Sequence, residues 1–373
     1  MNYRERIWAG LRGEPVDYVP FAPRWDLWFN AAKLDGRLPA KYQGWDMFDM
    51  AKDLGFGVFD FYAPLFRTEL HGVTVTETRK GSDTLIVYET PVGTVSEVHG
   101  STPDLESGGV RGQTTQHLIQ SIEDYGPVMY NVEHTEVIPA YEEFLARDRR
   151  IGEAGLALGL GFECPAHHIM REFTGYQGFY YALYDHPNEV DRLIDAVSAL
   201  YAKMEAVVLD SPADIIRVGS NFDTQLTSPP IFRRYFAPYF REFSARAHQR
   251  GKWVCAHTDS RMDGLMELIL DSGFDVAEAF TPPPMTNIDI ADARRVWGNR
   301  VAIWGGLASI LFSLSIPDEV LEAHIRAQLA QMHPGDRFVL GMGDNVPTDS
   351  SLDRILRVQE IVEEQGELTQ FEI

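Results

Sequence analysis

From Ile151 onward the chain repeats one phrase: a short apolar run, a break, then a longer amphipathic stretch. Strand Gly155–Phe162 precedes helical segments at Ala166–Glu172, Tyr176–Leu183 and Pro187–Leu209. Strand Ile215–Gly219 precedes helix Ile231–Arg250, and strand Trp253–His257 precedes a helix over Asp263–Ser272. Strand Val276–Phe280 leads to helix Ile290–Trp297, and Val301–Trp304 to helix Pro317–Gln331. Strand Arg337–Gly341 leads to helix Leu352–Gln365. The runs have strand lengths and the stretches between them have helix lengths. Strands joined through helices lie parallel, with right-handed crossovers. With Val19–Ala22 and Gly57–Tyr62 opening the series, about eight units are counted. The pattern predicts a (β/α)8 TIM barrel over residues 1–373 as one domain, rather than a doubly wound sheet. No glycine-rich dinucleotide fingerprint or phosphate loop follows any strand.

The first third of the chain is less regular. Asn2–Arg12 reads as a helix ended by Gly13 and Pro15. An extended piece, Val19 to Asp26, feeds helix Leu27–Leu34, and helix Asp46–Leu54 follows. Leu70–Arg79, Thr84–Thr90 and Gly93–Val98 alternate like antiparallel strands, with turns at Lys80-Gly81-Ser82 and Pro91-Val92-Gly93. They predict a hairpin insertion over about residues 69–112. Its Gly100–Gly112 loop is rich in Ser, Gly and Asp and reads as mobile.

Charge and cysteine content narrow the function. A formal net charge of -22 opposes nucleic acid and anionic membrane surfaces as partners. It leaves room for an anionic small molecule, because a local basic pocket can oppose the overall field. Cys164 and Cys255 sit far apart in apolar runs, which argues against a disulfide framework and for a reducing compartment. The N-terminus lacks a signal-peptide core, and no apolar run reaches membrane-spanning length. The expected location is the cytoplasm.

Chemistry concentrates in Gly251–Gly264, GKWVCAHTDSRMDG. Alternation along the strand puts Cys255, His257 and Asp259 on one face. Arg261 follows, just before the helix. Polar groups at the mouth of a strand are where repeating β/α folds place their sites. Arg24 and Asp26 either face a cavity or pair with each other. Glu163 ends its strand, Glu278 ends another, and Asp223 lies in the loop after Ile215–Gly219. Tyr62, Phe280 and Trp304 are candidates for cleft walls, and His167 and His168 follow Glu163 at a helix start. No Ser-His-Asp or Cys-His arrangement follows from spacing.

Several stretches resemble, in order, the uroporphyrinogen decarboxylase superfamily. They are Arg4-Glu5-Arg6 with Gly13-Glu14-Pro15-Val16-Asp17-Tyr18-Val19-Pro20, then Gly175-Tyr176 with Asp185-His186-Pro187. Asp223-Thr224-Gln225 with Ser228-Pro229, the His257 strand, Gly305-Gly306 and Leu340-Gly341-Met342-Gly343-Asp344 complete the series. The resemblance spans nearly the whole chain and implies a barrel with its cleft at the C-terminal strand ends. Fold alone does not give function. The decarboxylases' paired arginines are missing where this chain reads Ala22-Pro23-Arg24-Trp25-Asp26-Leu27. Their key aspartate falls at Ala63 and their closing histidine at Met342, so the resemblance implies no haem-pathway decarboxylation.

The corrinoid-linked methyltransferase branch of the superfamily holds zinc with a His-x-Cys pair and a later Cys. Here the resemblance keeps His257 but puts Asp259 and Met342 at the thiolate positions. Asp344, two residues after Met342, and Glu163 restore carboxylates. His257, Asp259, Asp344 and Glu163 would then form an N/O set for zinc or a harder divalent ion. The alternative is that Asp259 caps the next helix and Asp344 closes a turn with Asn345. The resemblance implies metal-assisted methyl transfer or demethylation, with His257, Asp259 and Glu163 catalytic. Arg24, Asp26, Tyr62, Asp223, Arg261, Glu278 and Trp304 would contact substrate, and any corrinoid would sit on a separate protein. A decarboxylase or lyase acting on a small carboxylated substrate, and a non-catalytic binding barrel, remain as alternatives. By analogy with the superfamily the protein is expected to be a homodimer.

Overall fold

The computed structural model describes residues 1–109, 112–333 and 335–369, so Val110 and Arg111 of the expected mobile loop lie outside the described residues. Within that loop a short helix forms at Pro103–Ser107. The central element is a parallel sheet of seven strands whose neighbours follow chain order. They are β1 (Val58–Pro64), β2 (Gly155–Leu160), β3 (Ile215–Val218), β4 (Trp253–His257), β5 (Val276–Phe280), β6 (Ala302–Leu307) and β7 (Phe338–Met342).

The sheet is curled, and its side chains show this directly. One buried apolar cluster draws Phe59 and Phe61 from β1, Leu156 and Leu158 from β2, Ile215 from β3 and Cys255 from β4. Val276 from β5, Ala302 and Trp304 from β6 and Val339 from β7 complete it. Phe59 and Trp304 have ring centroids 4.6 Å apart, whereas in a flat sheet their strands would lie about 24 Å apart. The alternate residues, among them Ile216, Val218, Ala256, Ile303 and Leu340, belong to a second cluster shared with the helices. Each strand is therefore buried on both faces, which explains its unbroken apolar run.

The two sheet edges meet at the stretch Pro20–Ala22. Leu340 N donates to Pro20 O (2.8 Å), Ala22 N donates to Leu340 O (2.9 Å), and Gly57 N donates to Phe21 O (2.9 Å). The strand expected at Val19–Ala22 is reduced to a single parallel bridge, Phe21 with Leu340. Pro20 and Pro23 have no N–H to donate, so the ladder cannot lengthen.

A separate four-stranded antiparallel sheet is built from Thr74–Lys80, Asp83–Thr90, Gly93–Gly100 and Gln113–Gln116. The expected Leu70–Arg79 strand is split. Phe66–Leu70 pairs instead with Thr135–Pro139, and Gly72 turns the chain at φ 70°. Every residue of Thr74–Lys80 is exposed, and Glu77, Arg79 and Lys80 give this edge the charges that disfavour pairing with another strand. The expected helix over Asp263–Ser272 starts only at Met266, because Gly264 holds a left-handed φ of 83°. Ala166–Glu172 resolves into a helical turn, Pro165–His168, and a π-helical turn, Ile169–Phe173. Among the described residues no helix is long and apolar enough to cross a membrane.

Candidate active site

Along β4 the side chain of Cys255 lies in the apolar interior, and His257, one pleat further, reaches the layer above it. β5 is in register so that Glu278 stands opposite His257. His257 Nδ1 lies 2.6 Å from Glu278 Oε2, with the two residues only 5% and 1% exposed. An ionised carboxylate can only accept, so Nδ1 is the donor in this pair and Nε2 is the nitrogen that Glu278 leaves unused. Two residues here hold left-handed backbone, Ala279 (φ 58°) directly after Glu278 and Ser260 (φ 95°) directly after Asp259. Such conformations cost free energy in residues other than glycine and persist only where the surroundings impose them.

Asp259 lies just past the end of β4 and is held on three sides. Oδ1 accepts from Ser260 N (2.8 Å) and Thr281 Oγ1 (2.9 Å), and Oδ2 accepts from Asn221 Nδ2 (2.9 Å). It does not cap the next helix, which begins at Met266. Asp344 Oδ1 accepts from Arg24 Nη1 at 2.9 Å. His257, Asp259 and Asp344 offer ligand atoms that all lie within 4.8 Å of one another. Burial, with the neighbouring Asp344 charge, pushes the Asp259 carboxyl up to about 6. Asp344, two residues after Met342, lies beyond the strand and takes no strand face. β7 ends at Met342, whose side chain packs into the outer core, and Asp344 reaches the cluster from the loop beyond.

Arg24 ties this group to the sheet edge. It donates to Asp26 Oδ1 (3.3 Å), Asp344 Oδ1 and Tyr62 Oη (2.5 Å), and Asn345 Nδ2 binds the same Asp26 oxygen at 2.8 Å. Arg24 and Asp26 thus pair with each other and also enter the site. The Phe61 ring stands at the centre: the Arg24 and Arg217 guanidinium carbons each lie 4.2 Å from its centroid. His257 meets the same ring edge-on at 5.1 Å. Tyr62, 48% exposed, forms an outer wall.

Other expected residues lie elsewhere. Glu163 does not join the cluster; its Oε1 is bound by Arg171, and its Oε2 is buried without a partner. Burial alone would raise the Glu163 pKa, but the nearby His167 and Arg171 bring it below the ordinary value. Asp223 turns back on its own loop and accepts from the Gln225 and Leu226 amides. Arg261 is exposed and pairs with Asp263. Trp304, 1% exposed with Nε1 on Ala22 O, is floor rather than wall. Phe280 is fully buried beside Trp297. His167 is a core histidine: its Nε2 meets Tyr176 Oη at 3.1 Å, and burial lowers its pKa to about 4. His168 packs edge-on against Phe173.

Arg217, Asn221 and Thr281 were not singled out from the sequence. Arg217 had a signal: it is the one charge in the strand Ile-Ile-Arg-Val, two residues after the inward Ile215. Asn221 and Thr281 lie in loops, where no period applies.

A curled parallel sheet with ionisable groups at its C-terminal strand ends defines an α/β protein of the kind that carries its site on the strand-end loops. Residues 166–365 match the family model described as uroporphyrinogen decarboxylase (URO-D). The match covers more than half of the chain, and the protein belongs to this family. Among curated proteins none matches. Among solved structures, a methyltransferase from Methanosarcina mazei superposes with a TM-score of 0.59 at 14% identity, over 98% of this chain and 99% of that one. At that identity the likeness speaks for the fold.

Proposed function

We propose that the protein is a methyl-transferring enzyme that removes a methyl group from a methoxy or methylamine substrate, with a divalent metal held by His257, Asp259 and Asp344. The observation that carries this reading is the convergence of one imidazole and two carboxylates within 4.8 Å. The donors fit such an ion. Glu278 takes the Nδ1 side of the imidazole and leaves Nε2 for another partner, the usual arrangement behind a metal-bound histidine. One nitrogen and two carboxylate oxygens suit zinc or a harder divalent ion, unlike the thiolate set of the corrinoid-linked branch. A bound ion would supply Lewis acidity at the heteroatom that the methyl group leaves.

The chain's own groups position the rest. Asn221, Thr281 and the Ser260 amide orient Asp259, and Arg24 holds Asp344 from the opposite edge of the sheet. Phe61 and Tyr62 give an apolar and aromatic wall against which a small substrate can exclude water. In this reading the whole chain is one domain, and Pro20–Ala22 serves as the eighth stave of a complete barrel. The methyl acceptor is a corrinoid carried by a separate protein, and the enzyme works as a homodimer. The superposition on a methyltransferase supports this reading. So do Ala63 and Met342, both buried in the outer core, where a decarboxylase of this family needs ionisable groups.

Elemental analysis of protein purified without chelator, beside an Asp259→Ala variant, tests the metal. The expected result is roughly one divalent ion per wild-type chain and far less in the variant. Metal far below that level in both, with activity intact, overturns the metal part of the reading.

A further inference from the structure

Among the described residues Arg217 is a guanidinium without a salt-bridge partner, although the Glu278 carboxylate acts on it from further off. Arg24 has Asp26 and Asp344, Arg171 has Glu163, and Arg147 has Asp60 and Glu143. Among the described residues Arg217 makes a single hydrogen bond, from Nη1 to Gly219 O at 3.3 Å, and its Nε is buried with no partner. The nearest acidic candidate, Glu278, is committed to His257. A guanidinium has five N–H donors, and a half-buried charge whose Nε meets no acceptor is costly.

Its position makes the vacancy useful. Arg217 points to the sheet interior, as Ile215 two residues earlier does, while Ile216 and Val218 face the helices. In register it stands beside Cys255, one pleat below His257. Its head lies against Phe61, the ring that His257 also touches. With Nη1 used by Gly219 and Nε buried, Nη2 is the nitrogen left with access to a carboxylate, to which it can donate a charge-assisted hydrogen bond.

We propose that Arg217 docks a carboxylate of the substrate, so that the molecule acted on beside His257 is a small carboxylic acid anion. This deepens the methyl-transfer reading and rests on its site, but it does not need the metal. The overall negative charge of the chain is offset locally, because the guanidiniums of Arg24 and Arg217 both lie against Phe61; Asp26 and Asp344 pair with Arg24 and leave Arg217 as the cation without an ion pair.

The test is binding to the full chain by calorimetry, using acetate, propionate, benzoate and inorganic phosphate, with neutral benzamide as control. Arg217→Met and Arg217→Lys variants are titrated beside the wild type, with and without chelator. Wild type is expected to prefer benzoate to benzamide by about tenfold or more, the size of a charge-assisted pair. Arg217→Met should erase that preference, and Arg217→Lys should keep part of it. Without ligand, Arg217→Met should melt above wild type, because a half-buried charge without an ion pair has been removed. A merely structural arginine would lower the melting point instead. A preference unchanged in Arg217→Met, a lower melting point or failure to fold in that variant, or tighter binding of phosphate than of any carboxylate overturns the proposal. Persistence of the preference in chelated protein separates it from the fate of the metal.

Discussion

The same seven strands build two unlike layers inside the sheet. The lower one is apolar, with Phe59, Leu158, Ile215, Cys255, Val276, Trp304 and Val339 packed together. Arg217 stands level with Cys255 at the top of that layer, one pleat higher come His257 and Glu278, and beyond the strand ends Asp259 and Asp344. The lower layer joins strands through contacts that need no partner of defined charge. The upper layer joins them through hydrogen bonds and charges that would be costly if left incomplete. Stability and chemistry are therefore separated along the strand axis by about one pleat. Substitutions in the two layers should have different signatures.

Removing the floor should give the largest effect. Trp304→Ala deletes a side chain 1% exposed and is expected to cost about 3–5 kcal/mol of folding stability, read from denaturant midpoints. A loss below about 1 kcal/mol would mean that the lower layer does not hold the sheet together. In the upper layer, Glu278→Gln should spare most of the stability and weaken retention of the proposed metal about 10- to 100-fold, measured with a competing chelator. Equal metal affinity in the variant would break the link between Glu278 and His257.

The histidines packed outside the sheet should behave like the floor. His324 Nε2 accepts from the Ala308 amide at 3.0 Å, and burial holds its pKa down at about 4, as it does for His167. Both lie below the unfolded value of about 6.5. Between pH 6.5 and 4 the unfolded chain binds more protons, so stability falls as pH falls. The slope is at most about 1.4 kcal/mol per pH unit for each histidine. Melting curves across this range should be flatter for His324→Gln than for wild type; identical slopes would count against the buried neutral imidazole. The smallest effect belongs to the antiparallel sheet. Arg79 and Glu106 pair with 66% and 48% of their side chains exposed, and Arg79→Ala should change stability by less than about 0.5 kcal/mol.

The layering also explains what could be read from the sequence. The seven parallel strands were legible because each is a short apolar run followed by a helical stretch. His257 stood out because a polar group ended such a run. Asp344 was found for an incomplete reason: its approach depends on the loop after β7, which alternation does not describe. Glu163 was expected as a fourth ligand because it ends a strand, yet Arg171, a turn and a half further along a helix that includes a π turn, takes its carboxylate. Trp304 was placed in the cleft wall although its indole spans the interior to Ala22. These misses share a cause. Period fixes which face a residue takes, but the depth it reaches and the partner it meets are decided by chain segments far away.

The seam at Pro20–Ala22 gives the protein an order of assembly. The Arg24–Asp344 pair crosses that seam and joins residues 320 positions apart. During synthesis the first half of the seam emerges early and must wait, its backbone groups satisfied by water or a chaperone, until nearly the last strand has left the ribosome. Intermediates of the growing chain present the open edges of β1 and the newest strand, which are the surfaces most prone to mispairing. The carboxylate cluster needs Asp344 and the guanidinium needs Arg24, so neither half of a nicked chain holds the whole site. Assembly of the cluster would then report that the two sheet edges have met at Pro20–Ala22.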